Sequence, residues 1–278
     1  MKSTEFGIIT LVVLLSFGFV FPSAAVAQDS LIILVIPSGR EITLNIVAST
    51  QAVQNLYRYQ YTITSSAQSN QSTNWFEVQG SSLVDSISSP LGWWGNSYGI
   101  RAIVSWGSDS LHRIAPGTSL GGFGLVASGL PAIQTYYAQG WFPVPMVDVE
   151  PDSIVNGDMI GNMINGRTVG PVTPPAPFNG LNFLDTIKSY INQSRPLGWI
   201  TNQTTADKYT RLIDSARSNL QANNRGVTKA KLDSVLVNAN ADSSSTLTSE
   251  AYALLRFNTE YVLNKLREED ELLDKKNK

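Results

Sequence analysis

Residues 57–64 read YRYQYTIT, with Tyr57, Tyr59, Tyr61 and Ile63 at every second position. Side chains alternate between the two faces of a strand, so this spacing sends all four to one side and Arg58 and Gln60 to the other. Working outward, Glu41 to Val47 alternates through Ile42, Leu44 and Ile46, and an apolar run from Leu31 to Ile36 precedes it. Further strand candidates are Trp75 to Val78, Ser82 to Ile87, Ile100 to Trp106, Gly122 to Ala127 and Ala132 to Ala138. Turn residues punctuate them at Ser69-Asn70, Ser88-Ser89-Pro90, Pro116-Gly117 and Gly129-Leu130-Pro131. No helical period interrupts the series. The spacing predicts an antiparallel, Ig-like β-sandwich of about seven to nine strands.

The chain changes character downstream. Between Gln28 and Gly180 there is no lysine, and the cations are Arg40, Arg58, Arg101, Arg113 and Arg167; from Lys188 onward charges of both signs are dense. Leu181, Leu184, Ile187 and Ile191 fall at helical spacing, and Pro196-Leu197-Gly198 stops that helix. Thr205, Thr228 and Thr248 stand where caps are needed before three more apolar stripes, through Leu212 and Ile213, Leu232 and Val235, and Leu254 and Val262. Trp199-Ile200 should wedge into the end of the first helix. Four such stripes with short loops predict a four-helix bundle. The expected organisation is therefore a signal peptide over 1–27, a β-sandwich over 28–142, and a Pro/Gly-rich linker over 143–180. The bundle follows over 181–268, with a charged tail over 269–278.

The N-terminus specifies a compartment. Lys2 precedes an apolar run from Phe6 to Phe21, and Ala25-Val26-Ala27 provides small residues where a signal peptidase reads. The run is too short and wrongly flanked for a lasting transmembrane helix, and no other segment is apolar enough to span a bilayer. The expectation is export, extracellular or periplasmic, with cleavage after Ala27.

Composition narrows the chemistry. The absence of cysteine removes disulfides, thiolate metal sites and thiol nucleophiles, and one histidine, His112, cannot build a His-rich metal centre. A net charge of −2 gives no basic field for nucleic acid. Asp109, Ser110 and His112 are close in sequence, but neighbours on one loop rarely hold triad geometry, and no nucleophile-elbow pattern surrounds a serine. The acidic stretch Asp148 to Asp158 is oxygen-rich, yet Pro151 and Ser153-Ile154-Val155 break the ligand rhythm of a calcium loop. The sequence thus points to no enzyme, cofactor or metal.

The candidate binding residues lie in PLGWWGNSYG, residues 90–99: Trp93, Trp94 and Tyr98. The flanking glycines suggest a loop at a sandwich end. If the segment is extended, alternation puts one indole inside and one outside. An outward ring could stack on a sugar or peptide, or pack under a neighbouring loop.

Two resemblances add to this reading. The order of a tyrosine strand, PLGWW, Val104-Ser105-Trp106 and then IAPGTSLGGFGLVASGLP resembles uncharacterised exported bacterial β-sandwich domains over about residues 40–170, and implies no activity. Leu197-Gly198-Trp199-Ile200, Leu212, Asp214, Ala216, Leu220, and Leu247, Thr248, Ala251 and Leu255 resemble the FIMAH domain, a helical module at the C-terminus of exported bacterial proteins. The sequence departs from that family at VLVNANA, residues 235–241, where its naming phenylalanine and histidine would fall. Together these imply a non-catalytic exported recognition or adhesion-type protein with a helical accessory module. The alternatives are a structural component of an envelope or matrix, and a carbohydrate-binding accessory protein; the expected partner is an extracellular glycan or protein. The secreted product should begin at Gln28, which its intact mass checks; a product starting at Met1 would reject export by this route.

Overall fold

The computed structural model describes residues 38–97, 104–143 and 162–276. The apolar run Leu31 to Ile36, Tyr98, part of the Ile100 to Trp106 stretch, the acidic stretch and the signal sequence lie outside the described residues. Among the described residues nine strands precede four helices. They are β1 (Leu44–Val53), β2 (Leu56–Ser65), β3 (Thr73–Val78), β4 (Val84–Ser88), β5 (Trp93–Ser97), β6 (Val104–Ser108), β7 (Ser119–Ala127), β8 (Leu130–Gly140) and β9 (Ile164–Val172). The helices are α1 (Gly180–Ser194), α2 (Gln203–Gln221), α3 (Arg225–Asp242) and α4 (Ser249–Lys276). Strand pairing is antiparallel throughout, in one sheet ordered β1-β2-β7-β4 and a second ordered β5-β6-β3-β8-β9.

The tyrosine strand becomes β2, and its alternation seeds the space between the sheets. Tyr59 and Tyr61 are fully buried, and Tyr61 meets Phe76 and Trp106 of the opposing sheet edge to face at 5.8 and 6.0 Å. Phe123 joins the same cluster. Buried Tyr and Trp need partners for their polar tips, and here those partners stitch the layers. Tyr61 Oη donates to the Val169 carbonyl at 3.0 Å, Tyr59 Oη to Gly129 at 2.8 Å, and Trp106 Nε1 to Ser88 at 3.0 Å. Burial pushes the Tyr61 hydroxyl's pKa far up, so it stays a donor.

The chain between Trp141 and Gly180 differs from the expected linker. Residues 164–172 form β9, paired with β8 from Ala138↔Ile164 to Leu130↔Val172, so the second sheet extends to Val172. The lack of lysine up to Gly180 marks this strand as part of the sheets. Pro174, Pro175 and Pro177 then form the actual connection to α1.

Each helix packs on its sequence neighbour, and α1 also packs on α4. The caps fall earlier than expected. Asn179 Oδ1 accepts from Asn182 N at 3.0 Å and Asn202 Oδ1 from Thr205 N at 2.8 Å, so α2 starts at Gln203 with Thr205 inside its first turn. Asparagine is as good an N-cap as threonine, and it stands first in the chain. Thr228 is likewise interior to α3, its hydroxyl donating to the Asn224 carbonyl at 3.0 Å. Thr248 does precede α4: its carbonyl accepts from Tyr252 N, although its hydroxyl has no partner among the described residues. Trp199 and Ile200 are buried, and Ile200 bridges to Leu247 just before α4. Asp242 joins α2 to the end of α3 through Lys208 and through Tyr209 Oη at 2.7 Å. Burial pushes its carboxyl up, but the ammonium and the phenol outweigh that and hold it below the usual range.

The helical region is fastened to an exposed sheet edge. Among the described residues β1 is a terminal strand, so every second residue turns its backbone groups outward with no described strand to receive them. At Ala48, Glu250 Oε1 accepts from the amide at 2.6 Å and Ser249 Oγ donates to the carbonyl at 2.6 Å. Glu250 is 3% exposed, and its position in the first turn of α4 places its charge at the favourable end of the helix dipole. Further along, Phe257 packs on Tyr57 at 5.2 Å, and Asn258 Nδ2 donates to Pro131 at 2.8 Å. Among the described residues no helix is long and apolar enough to cross a membrane. Glu250→Ala should destabilise the whole chain by about 2–3 kcal/mol, because it leaves a buried amide unpaired. Glu250→Gln, which keeps the acceptor, should cost less than half as much. Denaturant melts of the two variants check this; equal costs would refute the assignment.

Candidate functional site

The two adjacent tryptophans sit on β5, a paired edge strand rather than a loop. Gly92, one of the glycines that suggested a loop, and Gly107 on β6 serve two local demands. Gly92 has φ +74° and lies so close to the His112 ring that a Cβ would come within 2.1 Å of it. Gly107, opposite Trp94 in the ladder, leaves room for an indole to lie on the sheet.

Alternation divides the pair. Trp93 is 6% exposed, stands perpendicular to Phe123 with centroids 4.9 Å apart, and donates from Nε1 to the His112 carbonyl at 2.8 Å. Trp94 points the other way and is 51% exposed. Tyr98 lies outside the described residues. Of the three expected binding residues, the structure therefore puts Trp93 in the core and leaves Trp94 available.

Trp94 is not alone on the outer face. Register aligns Trp94, Gly107, Trp75 and Gln139 in one row across β5, β6, β3 and β8. A Cβ on Gly107 would lie 2.8 Å from Trp94 Cζ2 and 3.2 Å from Trp75 Cε3, so both indoles lean over the bare backbone between them. The next row runs Asn96, Ser105, Glu77, Tyr137 and Asn165 across all five strands. Trp75 Nε1 reaches Glu77 Oε2 at 3.5 Å, a weak bond joining the rows. Glu77 is half-buried, and that burial raises its carboxyl above the usual range, with the Trp75 N–H acting in the opposite direction. Beyond this row Arg167 Nη1 donates to Thr135 Oγ1 at 3.0 Å. On the other side of the tryptophan row, Arg113 stacks over the half-exposed Trp141 at 3.9 Å, and the Trp141 amide donates to the Ser72 carbonyl. A hollow of about 450 Å³ beside Trp141 is lined in part by Glu41, Asn70, Gln71 and Ser72.

Sequence reasoning missed Trp75, Glu77, Gln139, Tyr137 and Asn165. The signal was present in the alternation of β3, where Phe76 and Val78 take the inside, but assembling the rows requires the register of five strands. The Arg113–Trp141 pair carries no local signal.

The loop after β6 holds the other chemical candidates. Asp109 Oδ1 accepts from Leu111 N at 2.8 Å and His112 N at 2.9 Å, and faces His112 Nδ1 at 2.8 Å. The His112 ring, then the Leu111 amide, lowers the Asp109 carboxyl. Ser110 makes no hydrogen bond to the imidazole, so the three residues are joined as a surface turn. Among the described residues no group of three or more His, Asp or Glu is placed to hold a metal. No family model matches the chain, and no curated protein is significantly similar to it.

The two tryptophans should respond oppositely to truncation. Trp93→Ala removes a buried indole and should cost about 3–5 kcal/mol. Trp94→Ala should cost about 1 kcal/mol or less. Thermal melts, with acrylamide quenching of the parent, measure both; two equally stable variants would place Trp93 outside the core.

Proposed function

We propose that this is an exported, non-catalytic recognition protein that binds its ligand on the outer face of the five-stranded sheet. One observation carries the reading: Trp94 and Trp75 are held side by side over Gly107, with an indole half exposed where packing does not require it. Large aromatic side chains gain most from burial, so a ligand that covers this face recovers what folding leaves in water. The second row adds directional groups that fix orientation, as binding sites do.

The scaffold fits an Ig-like β-sandwich with one difference. The orders β1-β2-β7-β4 and β5-β6-β3-β8-β9 match the nine-strand variable-type arrangement. The difference lies in the middle: the chain visits the first sheet with β4 before returning to the second with β5 and β6, the reverse of that fold's route. We read the helices as an appended four-helix bundle of the FIMAH type. In support, the bridge from Ile200 to Leu247 joins two of the stretches that carry the resemblance. In this reading the bundle is an accessory that closes the β1 edge, and the sandwich meets the extracellular partner.

Titrating the full chain with extracellular polymers, both polysaccharides and proteins, tests the assignment. At least one should be retained by the parent, and Trp94→Ala should weaken retention about tenfold or more without a change in fold. If no polymer is retained and the chain self-associates instead, the structural role replaces recognition.

A further inference from the structure

We infer that the occupant of the Trp94–Trp75 face is a neutral polysaccharide, lying flat on the indoles with its hydroxyls turned to the second row. This rests on the recognition reading above and names its ligand class.

The shape of the face is the first argument. Both indoles lean over Gly107, so the first row is a continuous apolar shelf whose floor is bare backbone. Trp94 and Trp75 flank Gly107 from the strands on either side and bring their rings together over it, a surface on which the face of a pyranose can rest. A pyranose presents C–H groups on its face and hydroxyls around its rim. A ring resting on the shelf therefore points its rim along the sheet, not into it.

The second row stands where that rim points. Glu77 follows Trp75 on the same face, about 7 Å along the strand, and Asn96, Tyr137 and Asn165 continue the row on either side. Hydroxyls donate and accept at the same oxygen, and they are best met by groups of both kinds. Amides supply both, Glu77 accepts, and Tyr137 does either. Gln139 closes the end of the first row with another amide.

Charge complementarity selects among polymers. The face carries Glu77 on one side and Arg167 on the other, with Arg113 held against the Trp141 ring. Mixed single charges offer no field for a polyphosphate, whose capture depends on clustered cations. A peptide added as a strand uses free backbone edges, but on this face the backbone of β6, β3 and β8 is paired on both sides. An uncharged, hydroxyl-bearing chain satisfies the rings and the amides together.

The experiment measures retention of the full chain on insoluble cellulose, chitin and xylan, and titrates it with the corresponding hexasaccharides by tryptophan fluorescence. At least one glycan should be retained, and its hexasaccharide should shield the parent's exposed tryptophan from acrylamide. Trp94→Ala and Trp75→Ala should each weaken binding about tenfold; Glu77→Gln should weaken it severalfold with an unchanged melt. Shielding on the parent keeps the test decisive if an alanine variant folds poorly. Retention by none of the three, or retention that Trp94→Ala and Glu77→Gln both leave intact, overturns the glycan assignment. A protein polymer bound through Trp94 with no glycan retained overturns it too, while leaving the recognition reading standing.

Discussion

The amide and carbonyl of Ala48 are the point on which the architecture turns. A terminal strand must hide or neutralise its outward backbone groups, or it recruits another chain. Here two consecutive side chains at the start of α4, the Ser249 hydroxyl and the Glu250 carboxylate, take the places of a neighbouring strand's amide and carbonyl respectively. The carboxylate tolerates burial because an N–H points at it and the helix start supplies partial positive charge. With that contact made, Phe257 and Asn258 follow along the same helix onto Tyr57 and Pro131. The helices are thereby fixed against β1 and β8, and the β5 edge with its tryptophans stays on the side of the sheets away from them.

Inside the sheets, the same logic of satisfied polar tips sets the register on which the outer face depends. Tyr61, Trp106 and Trp93 each end in a hydrogen bond to a specific carbonyl. A slip of one residue in any of these strands would break that bond and send the ring to solvent. Because inner and outer positions alternate without freedom, locking Trp93 and Phe76 inside also locks Trp94 and Trp75 outside. The proposed recognition surface is the reverse side of the core.

Much of this was legible from residue spacing. YRYQYTIT announced a strand with an aromatic inner face, and four apolar stripes announced four helices, because periodicity is local. The inequality of Trp93 and Trp94 also followed from alternation. What escaped was non-local. β9 was hidden because Gly166, Gly170 and Pro171 read as linker residues, and only β8 as a partner makes them a strand. The rows of the candidate site draw on five strands spread from Trp75 to Asn165, so no window of sequence contains them. The role of Glu250 depends on an edge strand about two hundred residues earlier, beyond any local pattern.

That separation has a kinetic side. Ala48 and Glu250 are 202 positions apart, so their bond closes one of the largest loops the chain can form. Contacts of such range form late, since the entropy of closing the loop must be met before they stabilise anything. Until α4 arrives, β1 is an uncovered template for intermolecular pairing. The nascent or refolding chain therefore passes through a stage in which its sheets are complete enough to aggregate but not yet guarded. Faster docking of α4 shortens that interval, and dilution or a holding chaperone suppresses encounters during it; either will raise the yield of native protein without altering its final stability.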